Sequence, residues 1–358
     1  MTHVGNIFVT DNMLEKMCVW WYNSPAVMGD YVPPFTVSAK AISMVAEISA
    51  LIERYSIRLE QADGLLLRKA NRIKTIHSSL AIEGNELSES QVSDVLEGKP
   101  VLAPPTQLQE VRNAIRTYEE YPTLNPFKLE DLLRAHGLMM AGLREDAGQF
   151  RRSGVGVFAG EKCIHVAPPV HMVPTLMADL FDWLNRAEDH LLIRSCVFHY
   201  EFEFIHPFSD GNGRSGRLWQ SLILGRLHPA FAYLPVENMV YSNQARYYQA
   251  IEQSSRKADC APFIEFMLGE ILETLKKHRQ KSTDVGINVG INVGINTDNP
   301  ESMVLHVIRQ NSHASARQVA ELVGLTPRQV ERIIAKLKRQ GILVRCGANK
   351  NGYWQIVD

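Results

Sequence analysis

The sequence predicts a mainly α-helical protein with one isolated β-hairpin and a C-terminal helix-turn-helix carrying a two-stranded wing. Three observations support this. Between residues 38 and 277, apolar residues recur at three- and four-residue spacing in segment after segment, the period of helices with one buried face. That pattern breaks at 144–169, where SGVGVFAGEKCIHV is rich in glycine, β-branched and aromatic residues and reads as a hairpin with Gly160 near its tip. Residues 301–358 read as three helices and then two short strands around GANKNG.

Taken in order, residues 1–37 are rich in turn formers, among them Pro25, Pro33 and Pro34. From Ser38, a candidate cap, Ile42, Val45, Ile48, Ile52 and Tyr55 define one apolar helical face. A second helix over Gly64–Ala81 ends at Gly84, a residue suited to a helix C-terminus. Ser88 and Gln91 form a capping box for a short helix that stops by Gly98. The three prolines of 98–105 mark a loop, and further helices are expected over Gln107–Tyr118 and Lys128–Gly142.

After the hairpin, helices are expected over Val173–Asn185 and Leu191–Ile205, the latter ended by Pro207 because proline disfavours helical geometry in the residue before it. Arg214–Arg226, Ser242–Ser255 and Ala261–Lys277 complete the set. The chain thus divides into 1–105, 106–277, a linker at 278–300 and 301–358. Within the linker, VGINVGINVGIN repeats with a period of four, which matches no solenoid unit. It reads as low-complexity linker, with strand pairing as the alternative.

Composition narrows the function classes. Hydrophobic content of 45% and a net charge of −1 are ordinary for a globular protein and give no global signal for nucleic acid or membrane. Cys18, Cys163, Cys196, Cys260 and Cys346 are odd in number and lack CxxC spacing, which argues against a disulfide framework or a zinc site. The N-terminus has no signal-peptide pattern, no apolar run spans a bilayer, and the expected compartment is the cytoplasm. Locally, residues 301–358 carry nine Lys/Arg against four acids. The basic residues gather on the third helix and the wing, where DNA backbone would lie; protein docking is the alternative use of such a module.

The chemistry is concentrated in His206–Arg217, HPFSDGNGRSGR. Gly211-Asn212-Gly213 lies between two helices, so its amides can form an anion nest at a helix N-terminus. Arg214 and Arg217, three residues apart, lie on one face of the first turn and suit phosphate oxygens. Asp210 is placed to hold Mg²⁺ with phosphate oxygens, and His206 has the intrinsic pKa of a general base. Phe208 reads as a core anchor for the loop. Together these predict nucleotide phosphates, Mg²⁺ and an activated hydroxyl.

HPFSDGNGRSGR resembles the Fic-family signature HPFx(D/E)GNGRxxR at every fixed position. The resemblance extends over about 40–277 and implies a Fic helical domain with a β-hairpin flap, preceded by an N-terminal helical extension. It implies transfer of AMP from ATP to a Ser, Thr or Tyr hydroxyl of a protein, the chain itself included. On that resemblance His206 is the base and Asp210 the Mg²⁺ ligand. Gly211, Asn212 and Gly213 form the anion hole, with Arg214 at the phosphates and Arg217 at the γ-phosphate. Leu218, Val157, Phe158, Ala159 and Gly160 border the nucleotide, and Tyr248 and Ser255 line the adenine pocket. The flap over Val155–His165 would align the target segment by strand addition; an ordinary surface hairpin is the plainer reading. Kinase-type relatives carry lysine at the place of Gly213, a departure not found here. The family often dimerises, so a homodimer is an expectation of the same resemblance.

Upstream, Ser79 and Glu83 in SSLAIEGN share a helix face. The stretch (79–84) resembles the family's inhibitory motif (S/T)xxxE(G/N), which implies that Glu83 engages Arg217 and blocks the γ-phosphate, or helps a water remove AMP from a modified target. The competing reading is a winged-helix transcriptional regulator whose Fic domain senses a nucleotide; a sensor needs neither His206 nor Asp210.

Overall fold

The computed structural model describes residues 31–60, 64–159, 162–283, 301, 304–305, 307–308, 315–323, 326–346 and 353–356. Pro25, Gly160, most of the 278–300 linker with its repeat, and the tip of the wing lie outside them. The chain divides after Lys277 into two units, each considered by itself.

The first unit is helical throughout, apart from its hairpin. The helices are α1 (Ala39–Glu60), α2 (Gly64–Ile82), α3 (Glu89–Leu96), α4 (Pro105–Glu119) and α5 (Leu129–Met139), then, after β1 (Gly156–Ala159) and β2 (Lys162–Val166), α6 (Val173–Arg186), α7 (Leu191–Ile205), α8 (Asn212–Leu227), α9 (Val236–Ser242), α10 (Gln244–Lys257) and α11 (Ala261–Thr283). Ser38 caps α1, its Oγ accepting the Ala41 N–H at 3.1 Å. Ser88 and Gln91 form the expected capping box on α3. Gly84 ends α2 with φ +90°, and the Asn85 N–H returns to the Leu80 carbonyl.

Three expectations need correction. The buried face of α1 is Ala41, Met44, Ile48, Leu51, Ile52, Tyr55 and Leu59, while Ile42 is 60% exposed. Ile48, Ile52 and Tyr55 lie on the buried face as expected and Val45 packs at its edge, so Ile42 is the one expected position that falls outside it. The helix expected at Ser242–Ser255 is α10, Gln244–Lys257; Ser242 instead ends α9, and the break falls at Asn243 (φ −131°), whose side-chain amide bonds Glu270 and the Met239 carbonyl. The final helix continues to Thr283, six residues into the stretch read as linker.

α7 is the centre of the unit. It is buried on nearly every side, with Leu192, Val197, Phe198, Phe202 and Ile205 fully or almost fully covered and His199, Glu201 and Glu203 buried among them. α8 lies against it at close range: a Cβ on Gly216 would come 3.0 Å from Glu203 Oε1 and 3.1 Å from Phe202. The loop between these two helices is His206–Gly211, so the most deeply packed pair of helices presents the segment that carries the chemistry. The hairpin is antiparallel, pairing Gly156 with Val166 and Ala159 with Lys162, with an irregularity between Val157 and Phe158. β2 runs beside α10.

The second unit has helical residues at 301, 304–305 and 307–308, then α12 (Ala316–Val323), α13 (Pro327–Arg339), β3 (Leu343–Cys346) and β4 (Tyr353–Ile356). Val304, Ile308, Val319, Val330, Ile334, Leu337 and Leu343 form its own core. Thr326 and Gln329 make a capping box at the start of α13, and β3 pairs with β4 as the wing.

Candidate active site

His206 caps the C-terminus of α7 in the left-handed region, φ 49°, a conformation unusual outside glycine. Pro207 forbids continuation of the helix and helps set this turn. The ring Nδ1 lies 3.3 Å from the Glu203 carbonyl. A carbonyl can only accept, so Nδ1 carries the proton and Nε2 is the basic nitrogen.

The loop beyond is closed by side chains. Phe208 donates its N–H to Asn212 Oδ1, and Asn212 Nδ2 donates to the Phe208 carbonyl, both at 2.9 Å. The side chain of Asn212 is therefore committed to shaping the loop, leaving its backbone for any ligand. Phe208 is fully buried, as expected of an anchor, and stacks on His136 with centroids 3.6 Å apart. His136 Nδ1 accepts the Gly148 N–H at 2.9 Å, so its proton is on Nε2, which donates to the Asp210 carbonyl at 3.0 Å. Burial lowers its pKa to about 4, keeping it the neutral ring this double role requires.

Arg151, 2% exposed, ties the loop to the hairpin. Its Nε donates to the His206 carbonyl at 2.8 Å, its Nη1 to Ser153 at 3.0 Å and its Nη2 to Pro168 at 2.5 Å. The position of His206 and the root of the hairpin thus depend on one guanidinium. Nothing in the local sequence around Arg151 or His136 signals these roles, because apart from Ser153 their partners lie 12 to 74 residues away.

Gly211, φ +79°, precedes α8 with no side-chain cap. A Cβ there would meet Met140 Sδ at 2.8 Å, so both the conformation and the space require glycine. The first intrahelical bond comes from Ser215, to the Gly211 carbonyl. The preceding amides of the first turn are the unpaired N–H groups that favour an anion. Arg214, 3% exposed, reaches Asp210 only at 3.4 Å, and its Nε and Nη1 have no partner among the described residues. The positive charge here is not balanced by the loop itself. Asp210 is 45% exposed, and one of its oxygens accepts the Gly211 N–H at 2.6 Å.

Glu83 supplies an anion from outside the loop. Arg217 Nη2 donates to Glu83 Oε1 at 2.9 Å and to the Ser79 carbonyl at 3.1 Å. Arg217 is 1% exposed, whereas the Glu83 side chain keeps 34% of its surface. Burial pushes the Glu83 carboxyl up, but Arg217, then Arg214, outweigh it and hold it below its ordinary value. Burial likewise pulls Arg217 down, and the charge on Glu83 more than restores it. Gly213 makes room for the pair: a Cβ there would lie 2.8 Å from both Arg217 Nη1 and Glu83 Oε1. Ser79 takes part through its backbone carbonyl.

The remaining predicted contacts are less uniform. Tyr248 is half-buried beside Tyr247 at 5.4 Å, and burial and then the Glu83 carboxylate raise its phenol pKa, so it faces the clasp. Ser255 lies two turns further along α10, with its hydroxyl 3.1 Å from that of Tyr200. Leu218 is 1% exposed and belongs to the core, so its side chain has a packing role here. Val157, Phe158 and Ala159 form β1; Gly160 lies outside the described residues.

Fold and site together define a helical domain built around an uncapped helix N-terminus with an adjacent imidazole. The Fic/DOC family profile matches residues 126–224, and a winged helix-turn-helix DNA-binding profile matches 301–344. A crystal structure of a Fic family protein from Desulfovibrio desulfuricans G20 is 40% identical with a TM-score of 0.69, the match covering 91% of this chain and 98% of that one. The chain belongs to the Fic family. Fic-1 from C. elegans shares the fold at 21% identity and TM-score 0.57, over 70% of this chain and 74% of that structure. Among curated relatives, protein adenylyltransferase fic-1 of Caenorhabditis briggsae is 30% identical over 205 residues, covering 54% of this chain and 38% of that protein. Protein adenylyltransferase Fic of Culex quinquefasciatus is 28% identical over 211 residues, covering 54% and 39%. The chain thus spans well under half the length of these two curated relatives.

Proposed function

We propose that the chain is an autoinhibited protein adenylyltransferase. The observation that carries this reading is the uncapped N-terminus of α8, with two Arg214 nitrogens left unpaired beside it and His206 at the other end of the same closed loop. The names of its relatives, protein adenylyltransferases, support the same activity. ATP is the substrate, its phosphates held by the first-turn amides, Arg214 and Arg217. His206 Nε2 takes the proton of a target Ser, Thr or Tyr hydroxyl as that oxygen attacks the α-phosphorus. The bond from the α-phosphorus to the bridging oxygen breaks, AMP stays on the protein and pyrophosphate leaves.

Asp210 fits Mg²⁺, being accessible and having one oxygen fixed by a backbone amide. Among the described residues no cluster of three or more acidic, His or Cys side chains could hold an ion alone, so phosphate oxygens would complete the shell. The ion, when bound, neutralises phosphate charge.

ATP labelled at the α- or γ-phosphate separates the alternatives when incubated with lysate and with the protein whose clasp is removed by Glu83→Gly. Label enters protein from the α position only, with pyrophosphate released. Entry from the γ position would indicate phosphorylation, and no entry from either would favour the nucleotide-sensing regulator.

For the second unit we propose DNA binding in the same protein. Arg328, Arg332, Lys338 and Arg339 are exposed on α13, and Arg345 on the wing lies over Trp354 at 4.6 Å. Lys336 is engaged by Glu301. Four to five phosphate contacts give an expected slope of about −4 for log affinity against log salt concentration. A salt-independent result would assign the unit to protein docking. Among the described residues no helix is long and apolar enough to cross a membrane. The expected setting is the cytoplasm, consistent with the free, buried Cys196 and Cys260, and a homodimer is its expected assembly.

A further inference from the structure

His206 has a second neighbour that the signature does not include. Glu203 precedes it by one helical turn on α7 and is 6% exposed. Its Oε2 lies 3.8 Å from His206 Nδ1, and its Oε1 lies 3.8 Å from His199 Nε2. Oε1 has no hydrogen-bond partner among the described residues. A buried carboxyl with an unsatisfied oxygen is costly to keep unless something nearby uses its charge.

The groups facing Glu203 come from four elements. α7 contributes His206 and His199, α8 contributes Arg217, the end of α2 contributes Glu83, and α10 contributes Tyr247 and Tyr248. Most are already committed. His199 Nδ1 donates to Gln220 Oε1 at 2.7 Å and its Nε2 accepts from the Tyr247 hydroxyl at 3.1 Å; burial lowers its pKa to about 4, so it stays neutral. Arg217 is held by Glu83 and the Ser79 carbonyl. Burial raises the phenols of Tyr247 and Tyr248, which remain protonated. The carboxyl itself is raised by burial to about 7, with Arg217 opposing and Glu83 adding to the rise. The facing group that gains charge during the proposed reaction is His206.

We propose that Glu203 is a positioning residue for His206. Its carboxyl, with its own backbone carbonyl, holds the imidazole as the Nδ1–H tautomer so that Nε2 is the base. It then balances the positive ring formed when Nε2 takes the hydroxyl proton. No proton passes to Glu203 in that step; the ring keeps both until the next transfer. This rests on the reading of His206 as the base in AMP transfer.

The first test does not depend on activity. In the full-length protein, the His206 ring is followed by long-range ¹H–¹⁵N NMR and assigned by its loss in His206→Ala. In Glu203→Gln its titration midpoint moves down by about one pH unit, as expected on removing a nearby opposite charge. An unchanged midpoint overturns the proposal, whether or not AMP is transferred. The second test adds Glu203→Gln to the Glu83→Gly protein. kcat falls about tenfold or more with the KM for ATP held within about twofold, and the acid limb of the pH profile follows the ring to lower pH. Glu203→Asp, which keeps the charge, recovers part of the loss. A defect confined to KM, or equal loss in Asp and Gln variants, overturns the positioning role. Failure of Glu83→Gly alone to transfer AMP would count against the functional reading, while the NMR titration still decides the pairing.

Discussion

Glu83→Gly is expected to raise AMP transfer from ATP about 10- to 100-fold. The interaction removed is one charge-assisted hydrogen bond between Glu83 and Arg217, worth about 1.5–3 kcal/mol when made to a charged group, and each ~1.4 kcal/mol is tenfold. Partial exposure of Glu83 admits solvent screening and favours the lower end. The clasp competes with the substrate because the arginine it holds is one that the γ-phosphate would use. The substitution should leave the fold intact, since α2 ends at Ile82 and Glu83 lies in the capping turn next to Gly84. Its pH dependence follows from the sign of the shift. The Glu83 carboxyl is held below its ordinary 4.5 in the folded protein, so the pair is fully formed above that value and is lost only as pH falls through the lower folded one. The ratio of variant to wild-type activity is therefore expected to stay flat over roughly pH 6–8. Equal incorporation by the two proteins would remove the brake. Loss of AMP release from pre-modified protein in the variant would instead give Glu83 the hydrolytic role.

How legible the site was in the sequence depended on how local each contact is. His206, Asp210, Gly211 and Arg214 lie within nine residues, and their roles follow from a turn, a helix start and a proline that all act over short range. The Glu83–Arg217 contact spans 134 residues and could be expected only through resemblance to a known motif; nothing in its spacing requires it. Arg151 and His136 were not legible at all. An arginine after QF and a histidine before glycine look like surface residues until folding places them under the loop, where buried carbonyls need donors. Glu203 was missed for the opposite reason, since glutamates in a largely apolar helix read as its solvent edge, yet Glu201 and Glu203 are both buried. The exposure of Ile42 on α1 has the same origin: spacing fixes the period of a helix, while its packing partners decide how wide a face of it is buried.

His206→Ala is expected to lower AMP transfer by about 10²- to 10⁴-fold, the range a positioned general base supplies, with ATP affinity nearly unchanged. The residue sits at φ 49°, a conformation in which histidine is more common than alanine, so activity loss by itself would be ambiguous. Two further measurements make it specific. His206→Asn tolerates the left-handed conformation and should restore stability without restoring transfer, since an amide cannot take the proton. The ATP-induced rise in melting temperature should persist in both variants, because the phosphate contacts come from the amides of α8 and from Arg214 rather than from the ring. If His206→Asn transfers AMP within about threefold of the parent, proton removal by this side chain does not limit the reaction. The hydroxyl would then lose its proton to another group or to water, and His206 would lose its assigned role while the transfer reading stood.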